Sequence, residues 1–335
     1  MPVPAIVAAG DLRASKAVYG ESKAYLEVGD RPLVAHIVSV LQHVPEVSEV
    51  WVVGNAERLA GVFTQAEQHA LAKPFHIVNQ FRNLYENGVE TYRRALPGAP
   101  PGGRDATPDE REFPVLFLSA DLPFATPQEI SQFVQRSLAQ GCDYAMGLVT
   151  EESMEPFYPT EPGGYGIQMA YFNLREGRVR QSNLHLIRPE KIGNRHYIEE
   201  MYEHRYQQEW GNILSLAWTL LWSERGGPTV VLYYSLMHLA SLADRRGWRR
   251  TADRIRSWIP MPRIEKGCSA LLRCSFRFVV TEVGGCGVDV DNEHDLDMAR
   301  ARYDEWTAMQ RERAEQLVGP LPLPATTTPE PPGRT

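Results

Sequence analysis

Cysteine is scarce: 335 residues hold four, Cys142, Cys268, Cys274 and Cys286. None of their spacings makes a CxxC pair or a zinc knuckle, which argues against a disulfide-stapled scaffold or a thiolate-held zinc and predicts reduced core thiols. Apolar runs of the roughly 20 residues that span a bilayer are missing as well. The opening "MPVPAIVAAGDLRASK" has no basic segment ahead of its short apolar run, unlike a secretory signal, so a cytoplasmic location is expected. Positive charge is in deficit, with 35 Lys and Arg against 42 Asp and Glu and a formal charge of −7. Such a chain has no overall field to recruit nucleic acid, and that class of partner is set aside. The phosphate-loop signatures GxxxxGK[ST] and GxGxxG are both absent, which argues against a Walker NTPase and a Rossmann dinucleotide enzyme.

What is present is a composition 43% hydrophobic and 10% aromatic, enough for one large core or two modest ones. "PAIVAA" at 4–9 is a continuous apolar run stopped by Gly10, as a strand covered on both faces would be. Helical spacing from Leu33 ends before Pro45. A strand follows at "EVWVVGN", a helix at 57–71, a strand at "FHIVN", a helix at "NGVETYRRAL" and a strand at "PVLFLSA". Thr126 and Pro127 form a cap and first-turn proline for the next helix, and "DYAMGLV" is a further strand. This alternation predicts an α/β fold, a doubly wound and mostly parallel sheet with helices on both faces. Residues 1–190 form the first part of that core, 191–262 an aromatic-rich helical insertion, 263–316 a return to the core, and 317–335 a disordered Pro-rich tail. The Pro- and Gly-rich stretch 97–112 reads as a flexible loop.

In open parallel sheets, ligands collect at the carboxyl ends of strands, near the point where strand order reverses. Three features fall there: Gly10 with its polar loop, Asp121 in "FPVLFLSADLPF", and Asp289 with Asp291 in "VDVDNEHDL". Asp121 is not needed as a helix cap, because Thr126 is placed for that, and Pro123 holds Leu122 extended. Two carboxylates from separate strands suit Mg²⁺, which takes one or two carboxylates plus waters and substrate phosphates. Gly10 lets backbone N–H groups approach a phosphate chain, and Arg13, Lys16 and Lys23 supply counter-charge.

Together these residues resemble the nucleotidyltransferase superfamily that includes molybdenum-cofactor guanylyltransferases and sugar-1-phosphate nucleotidyltransferases, often called MobA-like. The family pattern "LAAGxGxRM", "PK", "GxPL", "xxDxP" and "DIDTPEDL" is matched in order by "VAAG" at 7–10, "SK" at 22–23, "GDRPL" at 29–33, "SADLP" at 119–123 and "VDVDNEHDL" at 288–296. Leu12 replaces the second loop glycine, and Ser22 the proline before Lys23. The resemblance implies a Rossmann-like nucleotidyltransferase fold. It also implies that the backbone of Ala8, Ala9, Gly10, Asp11 and Leu12 holds base and phosphates, that Lys23 meets the α-phosphate with Arg13 or Lys16 in the loop-arginine role, and that Asp121 and Asp291 hold Mg²⁺. Asp289 is expected on the same strand and face as Asp291, and His294 and Asp295 are expected to open the last helix.

On the base side Gln80, Asn83 or Asn87 are candidates, with helix capping as the competing role for Asn87. On the acceptor side Asn183 sits where related enzymes place an acceptor-facing Asn, with Arg180 and Arg188 nearby. The implied partners are an NTP and a phosphorylated small-molecule or lipid-derived acceptor; a homodimer is compatible. "RRGWRRTADRIRSWIP", 245–260, sets six arginines and two tryptophans beside an apolar helix. That pattern fits an anionic membrane surface or a phosphorylated acceptor, while aromatic residues at helical spacing favour packing on a core or second subunit. A nucleotide-binding module without turnover and a metal-dependent glycosyltransferase stay open as rivals.

Overall fold

A computed structural model describes residues 2–11, 17–161, 164–195, 197 and 227–322. Leu12, Arg13 and Lys16, much of the expected insertion (198–226) and the tail from 323 lie outside the described residues.

The chain opens with β1 (Val3–Ala9), a 3-10 turn at Lys23–Tyr25, a ribbon of β2 (Glu27–Val28) with β3 (Arg31–Pro32), and α1 (Leu33–Leu41). It continues through β4 (Val47–Gly54), α2 (Ala56–Val62), α3 (Gln65–Ala70), β5 (Phe75–Asn79), α4 (Leu84–Ala95), β6 (Val115–Ser119), α5 (Pro127–Gln140), β7 (Tyr144–Thr150) and α6 (Glu151–Met154). β8 (Phe172–Leu174) and β9 (Gly177–Ile187) precede α7 (Gly227–Arg245), α8 (Arg249–Arg256), α9 (Met261–Leu272), β10 (Phe276–Thr281), α10 (Glu293–Ala301) and α11 (Tyr303–Leu317).

The sheet runs β10-β7-β9-β6-β1-β4-β5, with β8 beside β9. β1 pairs in parallel with β4 and β6, β4 with β5 and β10 with β7, whereas β9 runs antiparallel to β6, β7 and β8. The sheet is therefore mixed and mostly parallel. Its middle strands are covered on both faces, which is why β1 reads as an unbroken apolar run: Val3, Ala5, Ile6 and Val7 are fully buried. Order reverses at β1, whose neighbours on the two sides are β4 and β6, so the crevice outside Ala9 and Ser119 is the switch point.

Local chemistry accounts for the element ends. Thr126 accepts from the Glu129 N–H and Pro127 opens α5, as expected. The single helix expected over 57–71 is two. Thr64 accepts from the Glu67 N–H while Glu67 accepts from the Thr64 N–H at 2.7 Å, a reciprocal cap that starts α3 afresh. Within 97–112, Arg104 grips Glu110 through both guanidinium ends at 2.6 Å. α7, α8 and α9 pack one side of the sheet through Met237, Ile255 and Ile264, with Ile259 of the α8–α9 turn, against Leu148, Leu174 and Val179. All four cysteines are free thiols.

Candidate active site

The carboxyl ends of β1 and β6 are tied by the Ala120 N–H donating to the Ala8 carbonyl at 3.1 Å, which leaves Asp121 two residues beyond the end of β6. The segment 288–291, expected as a strand, is instead an extended coil. Its backbone is held by the Val290 N–H donating to the Asp121 carbonyl at 3.3 Å. Gly285 makes this approach possible: a Cβ there would overlap the Phe124 carbonyl, so only glycine lets the turn before 288 lie directly on the chain following Asp121. Asn292 caps α10 by accepting from the Asp295 N–H at 3.0 Å, and the Asp295 carboxylate accepts from the Asp291 N–H at 3.2 Å. The cap is therefore Asn292 and the first helical residue Glu293 rather than His294 or Asp295, which lie within the first turn, and α11 follows; His294 Nε2 contacts the Gly166 carbonyl at 3.1 Å.

These constraints bring two acids 170 positions apart in the chain to one ammonium. Lys23 Nζ lies 2.5 Å from Asp291 Oδ1 and 3.4 Å from Asp121 Oδ2. Burial works against the Lys23 ammonium, but Asp121, Asp291 and Asp289 outweigh it and hold its pKa above the usual lysine range. Burial pushes the Asp121 carboxyl up to about 6; Lys23 and the Ser119 hydroxyl, which donates to Oδ1, oppose this, and Asp289 adds to it. Of the pair, the lysine keeps the proton and Asp121 bears the cost of being charged out of water.

Asp289 goes to a different partner. Arg180 donates to its Oδ1 at 2.6 Å and to the Gly287 carbonyl at 2.8 Å, so the arginine expected at the acceptor instead positions the acidic segment. Arg188 is likewise occupied, donating to the Cys142 and Glu112 carbonyls.

A cavity of about 110 Å³ opens over this cluster. Ala8, Ala9, Gly10, Lys23, Asp121, Asn183, Asp289 and Asp291 all line it, so these eight of the expected residues are assembled in one place. Asn183 has φ of 54°, a left-handed conformation that Asn tolerates, at the point where the β7–β9 register shifts. Asp11 is buried at the foot of the loop: its N–H donates to Gln80 Oε1 at 2.8 Å, and its carboxylate accepts from Arg58 at 3.1 Å. Gln80 therefore braces the loop and lines a separate open groove beside β5 rather than the cavity. Asn83, not Asn87, caps α4 by accepting from the Glu86 N–H. Asn87 is buried, where its Oδ1 accepts from the Phe81 N–H at 2.6 Å.

Three functional candidates escape the sequence reading. Gln181 and His185 line the cavity with Asn183, and the alternation 181, 183, 185 on a strand was the signal that could have found them. Arg58 joins Asp11 and Glu21 and lies over the Tyr25 ring, 3.8 Å from its centroid; nothing in "NAERLAG" sets it apart from a surface arginine.

Hard carboxylate oxygens facing a cation position already filled by an ammonium are the donor set that Mg²⁺ uses. Among the described residues no group of three or more His, Cys, Asp and Glu is arranged as a complete metal cage. The residues present fit an ion that draws its remaining ligands from water and phosphate.

Residues 5–165 match the MobA-like NTP transferase domain, a stretch just under half of the chain. A curated relative, 2-C-methyl-D-erythritol 4-phosphate cytidylyltransferase from Prosthecochloris aestuarii (strain DSM 271 / SK 413), is 25% identical over 150 residues. That alignment takes in 44% of this chain and 57% of the relative, so the chain spans little more than half the length of the protein it matches. Among solved structures, a hypothetical transferase from Thermus thermophilus superposes with a TM-score of 0.56 at 22% identity, over 88% of this chain and all of that one. The likeness establishes a shared fold.

Proposed function

We propose that the MobA-like domain makes this chain a Mg²⁺-dependent nucleotidyltransferase that joins the NMP part of an NTP to a phosphorylated acceptor. An acceptor phosphate oxygen attacks the α-phosphorus in line, the new P–O bond forms as the bond to the β-phosphoryl oxygen breaks, and pyrophosphate leaves opposite. The observation that carries this reading is the meeting of Asp121 and Asp291 on Lys23 beside Gly10. Both reactants are anions, so the protein's task is to cancel repulsion and hold geometry, and no covalent nucleophile is needed.

Each residue then has a part. Asp121 and Asp291 hold the metal, which when bound neutralises the triphosphate oxygens. Lys23, which lies between the two carboxylates, would offer its ammonium to the α-phosphate once they hold the metal. Ala8, Ala9 and Gly10 present backbone to the nucleotide, with Asp11, Gln80 and Arg58 keeping that backbone in place. Asn183, Gln181 and His185 face the acceptor from β9, and Arg180 fixes the acidic segment through Asp289.

The test is a pyrophosphate-release screen of four NTPs against pooled phosphorylated metabolites, with Mg²⁺ present or chelated. The curated relative is named a cytidylyltransferase, so CTP is the first nucleotide to try. Release should require Mg²⁺ and vanish in Asp121→Ala, Asp291→Ala and Lys23→Ala. Turnover surviving in either aspartate variant would remove the metal assignment. Tight NTP binding with no pyrophosphate from any acceptor would instead make the domain a nucleotide-binding module.

A further inference from the structure

The corner between α7 and α8 carries apolar and basic side chains that neither the core nor the cavity uses. On α7, Leu232, Ser235, Leu239 and Leu242 follow one another at spacings of three and four, a single helical face, and Arg246 lies just past its end. That face is open to solvent at its leucines: Leu232, Leu239 and Leu242 are exposed, while Ala240 and Ala243 are buried. The two tryptophans that flank α8, expected to pack on a core or a second subunit, are each 56% exposed. Arg246 stacks on the Trp248 ring, 5.6 Å from its centroid. Arg249, Arg250 and Arg254 are exposed on α8, and none of them has an ion pair among the described residues. Asp253 is the one acid in 245–263, and it is occupied by Arg256.

We propose that this corner docks the protein on an anionic lipid surface. Leucine and tryptophan enter the boundary between headgroup and acyl chain, and the arginines meet lipid phosphates with their stems lying along the apolar surface. The arrangement decides against the other occupants. A nucleic acid would satisfy the arginines and leave the leucine stripe in water, whereas a second copy would bring the same arginines face to face. Net charge sharpens the orientation: a chain at −7 is repelled by an anionic membrane everywhere except at a locally basic face. No described helix is long and apolar enough to cross the bilayer, so the contact is peripheral. The proposal is independent of nucleotidyl transfer, and its test reads binding alone.

The experiment is co-sedimentation of the full chain with phosphatidylcholine vesicles, pure or with about a third phosphatidylglycerol, alongside light scattering over a range of protein concentrations. Binding should require phosphatidylglycerol and fall with added salt. Each arginine near the surface is expected to change partitioning roughly fivefold, so Arg250→Glu with Arg254→Glu should lower it by at least about 25-fold. Trp248→Ala with Trp258→Ala should lower it without changing its salt dependence. All four side chains are exposed, so these variants should melt like the parent. No binding to anionic vesicles, equal binding to neutral ones, or indifference to both double variants would overturn the proposal. So would a dimer in solution that Leu239→Glu splits, because the stripe would then belong to a second copy.

Discussion

Replacing Asp121 with Asn should make the protein more stable at neutral pH while removing its activity. Asp121 is 7% exposed, and burial raises its carboxyl to about 6 from an ordinary 3.8. The folded protein therefore binds that proton more tightly than the unfolded chain does. Its contribution to stability is complete below pH 3.8 and is lost as pH rises through about 6. At 1.36 kcal/mol per pH unit, the ionised carboxylate costs the fold about 3 kcal/mol at pH 7. That cost is already net of the attraction of Lys23, which in the variant keeps Asp291 at 2.5 Å, so the gain at pH 7 is about 3 kcal/mol. Urea unfolding of Asp121→Asn and the parent, without Mg²⁺, from pH 3.5 to 7.5 measures it. The variant should lead at pH 7, with the gap closing toward pH 4. A variant less stable at pH 7, or a gap that ignores pH, would refute the reasoning, since either would mean that the carboxylate is not a strained buried charge.

Other outcomes follow from particular contacts. Arg180→Met leaves Asp289 buried without its partner and should cost about 3 to 5 kcal/mol in urea unfolding; adding Asp289→Asn should recover most of that. Gly285→Ala drives a methyl into the Phe124 carbonyl and parts the segments carrying Asp121 and Asp291, so stability should fall by at least about 2 kcal/mol, and calorimetry should show weaker nucleotide binding in Mg²⁺. Thr126→Ala removes the α5 cap for about 1 kcal/mol of stability with kcat unchanged.

By itself the sequence determined the strand and helix alternation and the places where chemistry collects. Apolar runs with β period, Thr126 with Pro127 and the carboxyl-end positions of Gly10 and Asp121 are local signals, each set by a few neighbouring residues. The break at Thr64 shows the limit of such reading, because helical periodicity continues through a position where a capping pair restarts the backbone. Long-range pairing was decided only in three dimensions. That Arg180 serves Asp289 and that Lys23 bridges Asp121 and Asp291 depends on β9 running against β6 and β7 and on Gly285 admitting close approach, and that Gln80 braces Asp11 depends on β4 lying between β1 and β5. A charged side chain's partner is chosen by whichever opposite charge the folded backbone delivers within a few ångströms in a water-poor place, and no spacing along the chain encodes that distance.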